Sequence, residues 1–346
     1  MLTKRDFLRS AVLAAMTATT AKRLWLLVST LLVLVQPAAW AEENIRKVGI
    51  VTFFSVDVAS RSPVLMRFMD TIRASVPGQN VTFELRSAEG KNDRYPQVVT
   101  DLVQQHVDVI YTPLGPAAVA AQQLTTTVPV VFIIAANPVT LGMVKSLEKR
   151  GGNFTGVYEE LPDFQSKRMA LLKEMVPQAI TIGILWDAHS WGERVGGEMA
   201  RRAEKAVLAA GARAEIVAVR GPDDLERAFS LLKQARVDGL LVEQGPVFIY
   251  QAKKLAELAA GAKIPAIYPS SSYTQVGGLA SLGPEFADSQ QQAVGYIEKI
   301  LKGANPGDLP VESSDKPFLA VNSKAAKDLG ITIPPQVQAR ANSTIE

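Results

Sequence analysis

The chain has 346 residues, of which 47% are hydrophobic and 21% charged, with 24 Gly and 20 Pro. At roughly 150 residues per domain this is the size and composition of a two-domain globular protein, which excludes disorder or a collagen-like repeat as the main theme. With 0 Cys and 2 His, disulfides, thiolate metal sites, a cysteine nucleophile and a lipid anchor on Cys are excluded, and no metal or other cofactor is expected.

The formal charge of +3 is dominated by the N-terminus. Residues 22–41 read KRLWLLVSTLLVLVQPAAWA: a basic start, a charge-free apolar run from Leu24 to Val35, and the small-x-small pattern Ala39-Trp40-Ala41 that a signal peptidase accepts. The run is short for a hydrocarbon layer of ~30 Å. Residues 1–41 therefore read as a cleavable export signal, with the mature chain starting at Glu42. Upstream, Lys4-Arg5 before Phe7-Leu8 resembles a twin-arginine motif with one Arg replaced, and Met16 is an alternative start for an ordinary signal. Cleavage removes Lys4, Arg5, Arg9, Lys22 and Arg23 together with Asp6, so 32 basic side chains then face 33 acidic ones. That balance gives no support to nucleic-acid binding or a polybasic membrane face. The expected location is the periplasm, without a lipid tether.

Short apolar runs then recur at 48–54, 81–85, 107–112, 128–135 and 154–158, and again at 181–186, 214–219, 237–243, 264–269 and 317–321. Most are continuous rather than alternating, the pattern of parallel strands covered on both faces. Between them lie helical faces such as Phe164, Leu171, Leu172 and Met175, or Phe286, Ala293, Val294, Ile297 and Leu301. Strands alternating with helices predict βαβ units and doubly wound α/β sheets. A quasi-repeat supports two lobes: Val107-Asp108 and Gly115-Pro116 recur 130 positions later as Val237-Asp238 and Gly245-Pro246. Turn-rich stretches predict that the chain changes lobe near 159–163, 270–280 and 305–316. The expected organisation is one lobe over 44–160 plus 279–315 and a second over 161–278 plus 316–342, two Rossmann-like lobes with parallel sheets joined by a three-segment hinge.

Several stretches carry a family likeness. They include SAEGKNDRYPQVVTDLVQQHVDVIYT, LGPAAVAAQQLTTTVPVVF, NPVTLGMVKSLEKRGGNFTGV, KRMALLKEMVP and IPAIYPSSSYTQVGGLASLGP, followed by LPVES and the strand before NSKAAKDLGITIPP. From about Val48 to the C-terminus these resemble the periplasmic substrate-binding proteins of ABC importers, in the branch with tryptophan- and tyrosine-binding members. The resemblance implies the type I periplasmic-binding fold, an inter-lobe cleft that closes on a small molecule, and delivery of that ligand to a permease and its ATPase without any bond made or broken. A monomer is expected. Two other readings use the same fold: a sensory module that passes its ligand to a membrane receptor, and an enzyme, which the missing Cys, the scarce His and the absence of a G-x-S-x-G elbow disfavour.

Ligands of open α/β sheets sit at strand C-termini, and the candidate residues follow from that rule. In the first lobe these are Phe54 and Ser55, with Phe53 beside them; Thr112; the helix start Gly115, Pro116 and Ala117, where the free N–H groups of Gly115, Ala117 and Ala118 suit a carboxylate; and Asn137. In the second lobe they are Asp187, Ser190, Glu243, Tyr268 and Ser271, with Trp191 as a further aromatic wall. Asp187 and Glu243 are read as partners for a ligand ammonium, so that a bipolar ligand would bridge the lobes. Compared with the family, Leu114-Gly115 replaces Gly-Thr, Asn137 replaces Asp, Gly245 replaces Asp and Ser271 replaces Arg, which points to a changed ligand. The class expected is an amino-acid-like, aromatic or carboxylate-bearing small molecule.

Overall fold

A computed structural model describes residues 45–148, 152–159, 163–314 and 316–346. Residues 1–41, expected as an export signal, lie outside the described residues, as does most of the first predicted crossing. Arg46–Glu346 forms one compact unit.

In chain order the first lobe begins with β1 (Ile45–Thr52), α1 (Val56–Ser60), α2 (Pro63–Ser75), β2 (Asn80–Ser87), α3 (Tyr95–Gln104), β3 (Val109–Thr112), α4 (Gly115–Leu124), β4 (Val130–Ile134) and β5 (Phe154–Tyr158). The second lobe holds α5 (Phe164–Met175), β6 (Thr181–Asp187), α6 (Ala188–Ala209), β7 (Arg213–Val219), α7 (Leu225–Gln234), β8 (Gly239–Val242), α8 (Pro246–Tyr250), α9 (Ala252–Gly261), β9 (Ala266–Tyr268), α10 (Ser271–Gln275) and β10 (Ala280–Gly283). The chain then returns to the first lobe with α11 (Phe286–Leu301) and β11 (Val311–Ser313). It ends in the second with β12 (Phe318–Asn322), α12 (Ser323–Leu329), α13 (Pro335–Arg340) and β13 (Ser343–Ile345).

The sheets run β2-β1-β3-β4-β5-β11 and β7-β6-β8-β9-β10-β12-β13. Both start with the same order: second strand, first, third, fourth, fifth. The apolar runs are continuous because both faces are covered. In the first sheet Ile110, Val130 and Phe132 pack with α3 and α4, while Val109, Tyr111, Val131 and Ile133 pack on the other face with α2 and α11. The second sheet repeats the scheme, with Ile182 and Ile184 toward α5 and α6 and Leu185, Leu240 and Val242 toward α7 and α9.

The repeated Val-Asp pair has a physical explanation. Asp108 accepts from the backbone N of Lys47 at 2.7 Å, and its own N–H donates to Lys47 O at 2.8 Å. Asp238 accepts from the backbone N of both Ile180 and Thr181 at 2.8 Å, and its N–H donates to Thr181 O at 2.7 Å. Each Asp thus seals the start of the first strand of its sheet, where backbone donors would otherwise lack partners. The residues just before each pair, His106 (φ 53) and Arg236 (φ 51), take left-handed conformations that end the preceding helix.

Two expectations are corrected. β10 stays in the second sheet, parallel to β9 and antiparallel to β12, so that sheet is not wholly parallel. The second crossing accordingly falls at Pro284-Glu285, not near 270–280, and the second lobe does not end at 278 but keeps β10. The short strands β10, β11 and β13 were not expected as strands. No helix among the described residues is long and apolar enough to cross a membrane.

Candidate functional site

The C-terminal ends of β1, β3, β8 and β9 and the crossing after β5 converge on a cavity of about 320 Å³. It is lined from the first lobe by Thr52, Phe53, Phe54, Tyr111, Pro113 and Leu114, and from the second by Gln244, Ile249, Tyr250, Pro269, Ser270 and Ser272. Glu159, Pro284, Phe286 and Gln290 complete the wall beside two crossing segments. The lining is mostly apolar, with a few polar groups, as small-molecule sites are.

Three contacts across the cleft hold it closed. Phe53 stacks on Tyr250 with the rings 7° from parallel, and Phe54 meets the same tyrosine edge-on at 5.1 Å. Asn92 Nδ2 donates to His189 O at 2.9 Å. Trp191 lies on Gly115, where a Cβ would overlap the indole ring, and its Nε1 donates to Gln244 O at 3.2 Å. Trp191 and Tyr250 therefore pack against the core of the opposite lobe. The indole is aimed across the cleft by a break in α6: Gly192 has φ 63, ψ 173, a conformation essentially confined to glycine. Gly192→Ala is expected to cost about 1–3 kcal/mol and to swing Trp191 off Gly115, seen as a lower denaturation midpoint and a changed tryptophan emission.

The sequence-predicted residues fall into two groups. Phe54, half exposed, lines the cavity. The others lie around it with roles of their own. Ser55 caps α1 through Val58 N. Thr112 Oγ1 donates to Leu114 O and accepts from Leu114 N, both at 3.2 Å, closing the strand-to-helix turn. Gly115 is covered by Trp191, Pro116 opens α4, and Ala117 is buried in the first-lobe core. The expected carboxylate cradle at this helix start is thus occupied by an indole. Asn137 accepts from Val139 N at 2.9 Å and Thr140 N at 3.2 Å, an Asx turn.

In the second lobe Asp187 is buried and its oxygens are already engaged: Oδ1 accepts from Ser190 N at 2.8 Å and Oδ2 from Val247 N at 3.0 Å. It caps α6 and α8 together and does not line the cavity, so it is not placed to receive an ammonium. Burial raises its pKa, against the pull of those hydrogen bonds. Ser190 supplies the capped N–H. Tyr268 stacks on Tyr273 at 5.0 Å inside the lobe, and Ser271 Oγ donates to Glu285 Oε2 at 3.0 Å.

Glu243 is buried beside the cavity rather than in its wall. Gln165 Nε2 donates to its Oε2 at 3.4 Å and Arg168 Nη1 lies 4.0 Å from the same oxygen. Its pKa is raised, chiefly by burial, with Arg168 opposing. These groups surround a small space that also touches Glu159 and Gln244.

Sequence reasoning missed Tyr250, Glu159 and, as a cavity wall, Tyr111. Glu159 directly follows a predicted strand, and its position at a crossing between lobes was the available signal.

The fold and the cleft define a two-lobe binding protein of the type I periplasmic-binding class. The chain matches the family described as ABC transporter substrate binding protein over residues 71–345, and it belongs to that family. It is similar to a tyrosine-binding protein of Clostridioides difficile (strain R20291), 25% identical over 73% of this chain and 71% of that one. It is also similar to two crystal structures. One, a conserved domain protein from Vibrio cholerae, superposes with a TM-score of 0.78 at 26% identity, covering 86% of this chain and 99% of that one. The other, an ABC domain from Streptococcus pneumonia in complex with L-Trp, has a TM-score of 0.76 at 25% identity over 87% and 99%.

Proposed function

We propose that the protein is the extracytoplasmic solute receptor of an ABC importer: it captures a small aromatic or amino-acid-like molecule between its lobes and hands it to a permease driven by an ATPase. It performs no chemistry on that molecule and acts as a monomer in the periplasm after loss of residues 1–41. The observation that carries this reading is the closed, aromatic-walled cavity of about 320 Å³ to which both lobes contribute. A ligand touching both walls stabilises the closed state alone, so capture and closure are one event. The relatives named for tyrosine binding and solved with L-Trp support an aromatic ligand.

The test is native mass spectrometry of exported protein for a co-purified small molecule, followed by thermal shift against aromatic amino acids, aromatic amines and small aromatic acids. A true ligand at 100 times its Kd adds about 2.7 kcal/mol of stability and compacts the protein in small-angle scattering. An empty protein that no member of the panel stabilises or compacts would refute the reading.

A further inference from the structure

Among the described residues lining the cavity Glu159 is the only one with an acidic or basic side chain other than the phenols Tyr111 and Tyr250. Its Oε1 accepts from Ser289 Oγ at 2.7 Å, and its backbone N–H donates to Ile134 O at 2.8 Å; among the described residues no hydrogen bond reaches Oε2. The surroundings add negative charge. Glu285 and Glu243 flank Glu159, with Arg168 as the cation packed between α5 and the second sheet. Glu243 Oε1 and Gln165 Oε1, both buried, also lack a hydrogen-bond partner. Three carboxylates and spare acceptors thus sit at and beside one end of an otherwise apolar cleft, with Arg168 next to Glu243 and Arg202 also acting on Glu243, and among the described residues no Lys, Arg or His lines the cavity.

Resting on the cleft reading above, we infer that the protein recognises its ligand by a positive charge: an ammonium group on an aromatic skeleton, seated against Glu159. Among the described residues an anionic group finds no cationic side chain in the cavity wall, and the helix start that suits a carboxylate is sealed by Trp191. A bare carboxylate in such a setting is costly without a partner; a bound ammonium supplies one.

Capture of an ammonium then involves a proton. Burial, with Glu285 beside it, pushes the Glu159 carboxyl up to about 7, while the Ser289 hydroxyl pulls it down. Among the described residues the other titratable or charged groups facing it are Tyr111, Arg168 and Glu243. The ammonium requires the ionised carboxylate, so below pH 7 binding must expel a proton and affinity falls about tenfold per pH unit; above pH 7 it levels off.

The experiment compares tyramine with 3-(4-hydroxyphenyl)propionate, near-matched in size and opposite in charge, by calorimetry on the mature protein between pH 5.5 and 8. Tyramine is expected to bind with the stated pH slope and the propionate to fail. Glu159→Gln should weaken tyramine by about 10- to 150-fold, the value of a hydrogen bond to a charged group, and flatten the slope. In Glu285→Gln, which leaves Glu159 in place, the pH midpoint of tyramine binding should move down, because one source of repulsion is gone. Propionate binding as tight as tyramine, a folded Glu159→Gln with native tyramine affinity, or an unmoved midpoint in Glu285→Gln would each overturn the inference. Those results leave the cleft a binding site. Failure of both compounds and of the whole aromatic panel overturns the cleft reading together with this one.

Discussion

Gly115→Val is expected to hold the lobes apart. The Trp191 ring occupies the space that any side chain at position 115 would need, and the contact exists only when the cleft is shut. The substitution therefore penalises the closed state and leaves each lobe's own packing intact. Overpacking of this kind costs about 1–3 kcal/mol, which lowers affinity for any ligand that needs closure by about 5- to 150-fold. Small-angle scattering should show a larger radius of gyration for the variant, with unfolding of each lobe unchanged. Trimming the opposing ring in the same chain, Trp191→Ala, should restore closure and most of the affinity. If Gly115→Val binds and compacts like the native protein, Trp191 does not gate the cleft.

Asp187→Ala is expected to destabilise the second lobe by about 2–4 kcal/mol. Its carboxylate caps two helices at once, through Ser190 N and Val247 N. A cap is worth about 0.5–2 kcal/mol, and a buried N–H left without an acceptor adds a desolvation cost of about 1–3 kcal/mol. Asp187→Asn keeps a side-chain acceptor and should lose less. The effect must appear in chemical denaturation without any ligand present. A variant of native stability with lost affinity would return Asp187 to the list of ligand contacts.

The lobes were legible because covering both faces of a sheet leaves long apolar runs, as in VPVVFIIA and FTGVY. The strands that escaped are short and lean on partners distant in the chain. β10 is held between β9 and the late strand β12; β11 has one apolar buried residue, Val311; β13 is half exposed at a sheet edge. At the site, strand ends point to loops that reach the cavity, but mostly to side chains beside it. Phe54, expected from its place after β1, is in the cavity wall. Asp187 caps two helices instead, because a polar residue after a strand looks the same in sequence whether it faces a ligand or caps a helix. Gly115 was read as an open anion site because nothing near it in sequence announces an indole arriving from position 191. Tyr250 lies seven residues beyond Glu243, the nearest expected contact before it, at the end of the short helix α8, and reaches the cavity by packing across the cleft on Phe53 and Phe54.

The two late returns of the chain bear on how the protein acquires its shape. One face of the first sheet is covered by α11, whose Ala293, Val294, Ile297 and Leu301 belong to the same core as Val48 and Val131, and its outer edge is closed by β11 on β5. A chain emerging from its N-terminus thus exposes β1 to β5 with one apolar face covered by α2 but not by α11 until some 130 further residues have followed. The second lobe must form as an insertion within a half-built first one. Contacts of such long sequence separation slow folding and expose sticky intermediates. Truncation before residue 286 should therefore leave a first lobe that aggregates, and the competence to bind arrives only when nearly the whole polypeptide is available.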